Sequence, residues 1–273
     1  MCLIVFAYKA HPRYELVMAG NRDEFYARPT ASLHRWEDHP RLLAGRDLEG
    51  MGTWLGITRE GRFAAVTNFR EGTFPPKTVL SRGNLTGAYL TGNASPREYM
   101  EKVARTAGDY AGFNLLVGDA GHLFYFSNRS SLIRELTPGV YGLSNHLLDT
   151  PWPKVTRALS SFKKVVAESD MISISHVIDI LTSRENVPDE ALPNTGVDPA
   201  WERLLAPAFI TSPTYGTRSS SVLRIDRKGE VVFHEQAWQP ARNEPIPAGE
   251  RCFRFQRAVA GNYKSSQNKD CAH

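Results

Sequence analysis

The chain begins with an apolar run, Cys2 to Ala7, dense in β-branched and aromatic side chains, and a second such run fills Tyr14 to Ala19 after a proline-containing turn at His11 to Arg13. Two such runs around a short turn predict a hairpin. Thr53 to Thr58 and Arg62 to Asn68 predict a second hairpin, about the Arg59-Glu60-Gly61 turn. The pattern then changes to helix. The signal is weak over Gly83 to Thr91 and firmer from Ser95, where an N-cap serine precedes a proline at the first helical position and Glu98 stands at N3. That helix should end near Gly108. Phe113 to Val117, His122 to Phe126 and Gly139 to Leu143 read as further strands, the first two joined by Asp119-Ala120-Gly121.

Helical spacing returns at Val155, Leu159, Phe162 and Val166, which predicts amphipathic helices over Pro153 to Val166 and Ile172 to Leu181. The proline-rich stretch Pro188 to Pro213 reads as a loop with one helical turn at Trp201 to Leu205, a candidate lid or rim. Strands resume at Ser219 to Ile225 and Glu230 to Glu235 around Asp226-Arg227-Lys228-Gly229. Residues after Ala260 are polar and should fray. Blocks of antiparallel strands separated by blocks of helices imply α+β layering, not alternating βαβ units.

Composition changes this picture little. At 273 residues, 41% apolar and 23% charged, the chain can bury a large core as one domain or two without staples or metals. The formal net charge of +4 is small and scattered, with no basic stripe carrying interleaved aromatics, which argues against nucleic acid and leaves acidic small ligands open. Cys2, Cys252 and Cys271 are few and far apart, with no metal-ligand spacing, so a reduced, cytoplasmic setting fits best and no metal is expected. The apolar N-terminus meets Lys9 and Arg13 too early for a signal sequence or a membrane span, and no transmembrane segment is expected elsewhere.

Cys2 carries the sharpest chemistry. Loss of Met1 would leave a cysteine with a free α-amino group, reference pKa about 7.7 to 8.0 beside a thiol of about 8.5, so the amine can serve as the base that activates the sulfur. A cysteine in an apolar strand is otherwise a small buried hydrophobe. Asn21-Arg22-Asp23-Glu24 closes the second strand with polar groups. An aspartate there can hold an amino terminus, and Arg22 can depress a thiol pKa or grip a carboxylate or phosphate. The plain alternative is a surface ion pair. Asn68, Asn145 and Arg218 each stand where a strand meets a loop. An asparagine at such a place can donate to an oxyanion, or simply satisfy turn backbone. Gly50 to Gly56 lacks phosphate-loop spacing and reads as close backbone packing under Trp54, and the histidines are scattered without a ligand or haem-attachment motif.

The segments MCLIVF, AGNRDEFYARP at 19–29, GTWLGIT at 52–58, AAVTNFR at 64–70, SRG at 81–83, GFNLLVGD at 112–119, YGLSNHLLDTPWPKV at 141–155 and YGTRSSSVLRID at 215–226 run in order along the chain. Together they resemble the NRDE family, which includes transport and Golgi organization protein 2. That family looks like a branch of the N-terminal nucleophile (Ntn) hydrolases, near choloylglycine hydrolases and penicillin V acylases. The resemblance implies a single four-layer αββα domain over 1–260, a flexible tail at 261–273, and cleavage of an amide other than a peptide. It implies Cys2 as nucleophile, Asp23 as the holder of its amino group, Asn68 in the oxyanion hole, Asn145 as a second asparagine and Arg218 as a late arginine. Asn21, Arg22 and Glu24 are then candidates for substrate binding. The sequence departs from those hydrolases at Gly20, where they carry an arginine. The family's links to haem trafficking and acyl-CoA or lipid metabolism imply an alternative: a non-catalytic binding protein that holds haem or an acylated cofactor in the same pocket, with no cofactor required for chemistry.

Overall fold

The computed structural model describes residues 2–72, 80–130, 132–241, 245–258 and 269–270. The opening hairpin is β1 (Cys2–Tyr8) against β2 (Tyr14–Phe25). Its turn is tied by the His11 ring, whose Nδ1 accepts from the N–H groups of Arg13 and Tyr14 at 3.0 and 3.3 Å. β2 runs past Ala19 because its polar end is buried and bonded, not solvated. Then come β3 (Thr30–Arg35), β4 (Leu42–Asp47), β5 (Leu55–Thr58) and β6 (Phe63–Asn68).

Helix α1 (Gly83–Thr91) and helix α2 (Pro96–Arg105) follow, the latter with the expected capping box between Ser95 and Glu98. Next are β7 (Phe113–Gly118), β8 (Leu123–Ser127), β9 (Arg134–Glu135) and β10 (Gly139–Leu143), then α3 (Pro153–Glu168), α4 (Ile174–Leu181) and the short α5 (Pro199–Leu204). The chain closes with β11 (Tyr215–Asp226), β12 (Glu230–Gln239), β13 (Ile246–Gln256) and β14 (Lys269–Asp270).

The strands form two seven-stranded antiparallel sheets, in the orders β10-β1-β2-β11-β12-β13-β14 and β3-β4-β5-β6-β7-β8-β9. Their facing sides share one core, in which Phe6, Met18, Leu223 and Phe233 of the first sheet meet Leu43, Ile57, Phe63 and Leu116 of the second. Outside the second sheet, Leu85, Tyr89 and Met100 of α1 and α2 pack on Val66, Leu115 and Val117. Outside the first, Val155, Phe162 and Val177 of α3 and α4 pack on Leu3, Val5 and Val17. The layers are therefore helix, sheet, sheet, helix, the αββα arrangement the motif order implied.

Three departures have physical causes. β3 and β4 were not foreseen, because β3 buries only Leu33 and shows no alternation. β13 was missed for the same reason, with Phe255 alone buried along its length. Segment 188–213, expected as a lid or rim, is instead built into the back of the molecule, with Leu205, Phe209 and Ile210 buried. Of the expected tail 261–273, only Lys269 and Asp270 lie among the described residues, paired with Arg254 and Phe253. Cys2 is a free thiol, whereas Cys252 is disulfide-bonded, against the expectation of reduced cysteines throughout. Among the described residues, no helix is long and apolar enough to cross a membrane, and no group of three acidic, His or Cys side chains is placed to hold a metal.

Candidate active site

Cys2 begins β1 directly opposite Arg22 on β2. Residues opposite one another in an antiparallel pair share a face. Both therefore point toward the second sheet, into a cavity of about 590 Å³ that also takes in Glu24, Arg28, Asp47, Trp54, Asn68, Arg82, Arg218 and Glu235. The cavity lies where strand ends of the two sheets meet. Its volume is in the usual range for small-molecule sites.

The two sheets are joined here by the residues just after β10. Ser144 Oγ donates to the Cys2 carbonyl at 3.0 Å, and Thr67 Oγ1 donates to the Ser144 carbonyl at 2.7 Å. Asn145 Nδ2 donates to the Asn68 carbonyl at 2.9 Å, while the Arg70 N–H donates to the Asn145 carbonyl at 2.7 Å. Asn145 is fully buried and takes no part in the cavity wall; its bonds fix the strand end that presents Asn68. Asn68 does line the cavity.

The segment Asn21-Arg22-Asp23-Glu24 divides by the two-residue alternation of a strand. Arg22 and Glu24 line the cavity. Asn21 turns the other way, where Nδ2 donates to the carbonyls of Leu181 and Ala208, both at 2.8 Å, and Oδ1 accepts from Ser220 Oγ at 2.6 Å. It is a tie between sheet and helical layer and does not reach the cavity. Asp23 reaches the cavity wall, but its carboxyl is held from behind by Thr217 Oγ1 at 2.7 Å. Arg218 sits in a bulge of β11, between the Thr217 and Ser219 pairings. The bulge re-aims its side chain to the cavity, where Nη1 donates to the carbonyls of Phe25 and Arg28 at 2.9 and 3.0 Å.

Charge is unevenly placed around Cys2. Burial pushes the thiol's pKa up; the amino-terminal charge and Arg22 pull it down, Asp23 pushes it up, and a backbone hydrogen bond from Asp23 lowers it. Asp23 is likewise raised by burial and drawn back by the amino terminus, by Lys154, by the Thr217 bond and by Arg22. Arg22 is nine-tenths buried, its Nη2 lies 3.2 Å from Asp47, and its Nη1 has no hydrogen-bond partner among the described residues. Asp47 also takes Arg28 Nε at 2.6 Å. Glu235, raised by burial, accepts from the Leu33 N–H at 2.7 Å across the gap between sheets.

Two site residues escaped the sequence reading of individual positions. Arg82, at the start of α1, lines the cavity, donates from Nη1 to the Gly112 carbonyl at 3.1 Å, and is electrostatically coupled to Cys2 and Glu24. It arrives there because Gly52 abuts Gly83 so closely that a side-chain Cβ at 52 would stand 2.3 Å from the Gly83 carbonyl carbon. Gly20 leaves no room for an arginine either, since a Cβ there would lie 2.6 Å from the Leu3 carbonyl and 3.2 Å from Trp54. The cations near the sulfur are thus Arg22 and Arg82. The second overlooked residue is Lys154 of α3, buried behind the sheet. Both lie inside the segments SRG and PWPKV that carry the resemblance, which was the only signal for them.

A family model described as Transport and Golgi organisation 2 matches residues 1–240. The Transport and Golgi organization 2 homolog of Mus musculus is 33% identical over 258 residues, covering 87% of this chain and 93% of the relative. The homolog of Homo sapiens is 34% identical over 258 residues with the same coverage. Among solved structures, the chain is similar to the C2A mutant of conjugated bile acid hydrolase from Clostridium perfringens, at 9% identity and a TM-score of 0.48, over 96% of this chain and 99% of that one. No chemistry is carried over from a likeness that distant.

Proposed function

The chain belongs to the Transport and Golgi organisation 2 family, and we propose that its cavity performs N-terminal-cysteine hydrolysis of a non-peptide amide or another acylated small molecule. The observation that carries this is Cys2 on a polar cavity wall beside Arg22 of the paired strand, with Asn68, at the end of β6, and Asp23 lining the same cavity. The rim supports an acylated substrate. Leu80 lines the cavity, Leu48 and Met51 adjoin lining residues, and all three are about half exposed. An acyl chain fits such a rim while an anionic part reaches Arg22 and Arg82.

Removal of Met1 gives Cys2 a free amine. That amine accepts the thiol proton, the thiolate attacks the substrate carbonyl, and Asn68 donates to the oxyanion. The C–N bond breaks as the ammonium returns its proton to the leaving amine. Water, deprotonated by the same amine, then cleaves the thioester and releases the acid. The test is intact mass of the purified protein followed by turnover of acylated amines. Retained Met1, or full turnover in Cys2→Ala, overturns the proposal.

A second function is favoured by the partnerless Nη1 of Arg22: holding an anionic ligand, acyl-CoA or transported haem, without cleaving it. Haem fits the wall only in part, since its carboxylates would meet arginines while the described lining residues include no histidine or methionine to hold its iron, leaving Cys2 for that role. Stabilisation by acyl-CoA that persists in Cys2→Ala favours this function; no shift with either ligand at micromolar concentration rules it out.

A further inference from the structure

Behind the first sheet lies a cluster of buried charges that the reaction above does not use. Lys154 stands in the first turn of α3, 4% exposed, with Nζ donating to the Leu205 carbonyl at 3.0 Å. Arg70 and Glu202 form an ion pair, both side chains at least 95% buried, and Glu202 also accepts from the N–H and hydroxyl of Thr195. The Arg70 guanidinium lies 4.7 Å over the Trp152 ring. Asp23 faces this cluster, and Lys154 is electrostatically coupled to Arg70, Asp23, Cys2 and Glu202. Fully ionised, Asp23, Lys154, Arg70 and Glu202 sum to zero.

That balance matters for an amine that must act as a base. A lone buried carboxylate beside the amino group of Cys2 would favour the ammonium, which cannot accept the thiol proton. A cation on the carboxylate's far side offsets that attraction. Lys154 is also poorly placed to stabilise the fold: burial is the main cause that lowers its pKa to about 8. It borders a separate groove of about 300 Å³ between α3 and α4, so it can exchange protons with solvent without passing through the cavity.

We propose that Lys154 is a positioning residue of the Cys2 centre: from behind the sheet it balances Asp23, so that thiol and amine can both give up protons near neutral pH. This rests on Cys2 being the mature N-terminal nucleophile. The charged groups that act on Lys154 are Asp23 from β2, Arg70 from beyond β6 and Glu202 from α5, with Cys2 acting through the sheet from its other face; Arg22 and Tyr215 act on it through Asp23 and Cys2.

The test is the pH dependence of Cys2 alkylation by iodoacetamide, followed by intact mass on the full mature chain from about pH 5.5 to about 9.5, because the thiolate is the reacting form. Lys154→Met should move the midpoint alkaline by about half a unit to one unit, slowing labelling near pH 7 about three- to tenfold. Lys154→Arg should restore it, and Asp23→Asn should move it the opposite way. A merely structural lysine would lower the melting temperature without moving the midpoint. An unchanged midpoint in folded Lys154→Met overturns the proposal; if that variant does not fold, Lys154→Gln and the sign of the Asp23→Asn shift decide it. Retained Met1, or no labelling of wild type at any pH, overturns the hydrolase function itself and this inference with it, a result distinct from normal wild-type labelling that Lys154 leaves untouched.

Discussion

The two faces of one short strand end do different work. On the front of β2, Arg22 and Glu24 look into a cavity whose groups are partly unpaired, with an arginine nitrogen awaiting a partner. On the back, Asn21 has every side-chain bond filled and Asp23 is held by Thr217 and screened by Lys154. Four consecutive polar residues read as one cluster are really two sites separated by the thickness of a sheet. In the proposed reaction the front would meet the ligand and the back would set and hold the position of Cys2.

Substitutions that act on one face alone sharpen this division. The largest effect is expected at Asn68, which lines the cavity and is the oxyanion donor of the proposed reaction. Asn68→Ala should lower turnover of a cleaved amide about a hundredfold to a thousandfold, with melting temperature little changed. Asn145→Ala acts on the same step indirectly, and it should also destabilise the fold, since its side chain donates to the Asn68 carbonyl and accepts from Ser144 Oγ at a fully buried position. Equal and purely kinetic losses in the two variants would break the distinction between presenting and holding.

Next is a dissociation between neighbours. Arg22→Met should weaken binding of an anionic acyl ligand about tenfold to a hundredfold, read by titration calorimetry, while Asp47 keeps Arg28 as its partner. Asn21→Ala should leave affinity unchanged and cost about 2 to 3 kcal/mol of stability, because the carbonyls of Leu181 and Ala208 lose a buried donor. If Asn21→Ala weakens the ligand as much as Arg22→Met does, the two faces are not independent.

How much of this the sequence disclosed depends on distance along the chain. β10 and α1 have the bounds their patterns predict, and α2 carries its predicted cap, because turns, caps and helical spacing are local. β3 and β13 stayed hidden, since strands that bury one residue lack the alternation by which strands are recognised. Within the site, Cys2, Asp23 and Asn68 were legible as strand-end positions. The side to which Asn21 points was not, because β2 was expected to stop at Ala19 and its remaining residues had no assigned face. Arg82 and Lys154 were invisible for another reason: only the packing of Gly52 on Gly83 and of α3 behind β1 brings them near the second residue.

The smallest effect carries the sharpest sign. Lys154 binds its proton more weakly in the folded chain than in the unfolded one, about 8 against a reference of 10.5, chiefly because burial disfavours the charge. The unfolded state therefore holds more protons between those values, and the wild-type chain gains stability as pH rises from about 8 to about 10.5. Below that window the buried ammonium carries a cost that methionine does not, so the stability of wild type relative to Lys154→Met should be about 1 to 3 kcal/mol lower near pH 7 than near pH 10.5. Wild type should gain on the variant across the alkaline window, as followed by chemical denaturation at several pH values. A stability difference that stays constant from pH 7 to pH 10.5 would mean that the Lys154 charge is not held against burial, and the contrast between the faces would reduce to one of solvent exposure.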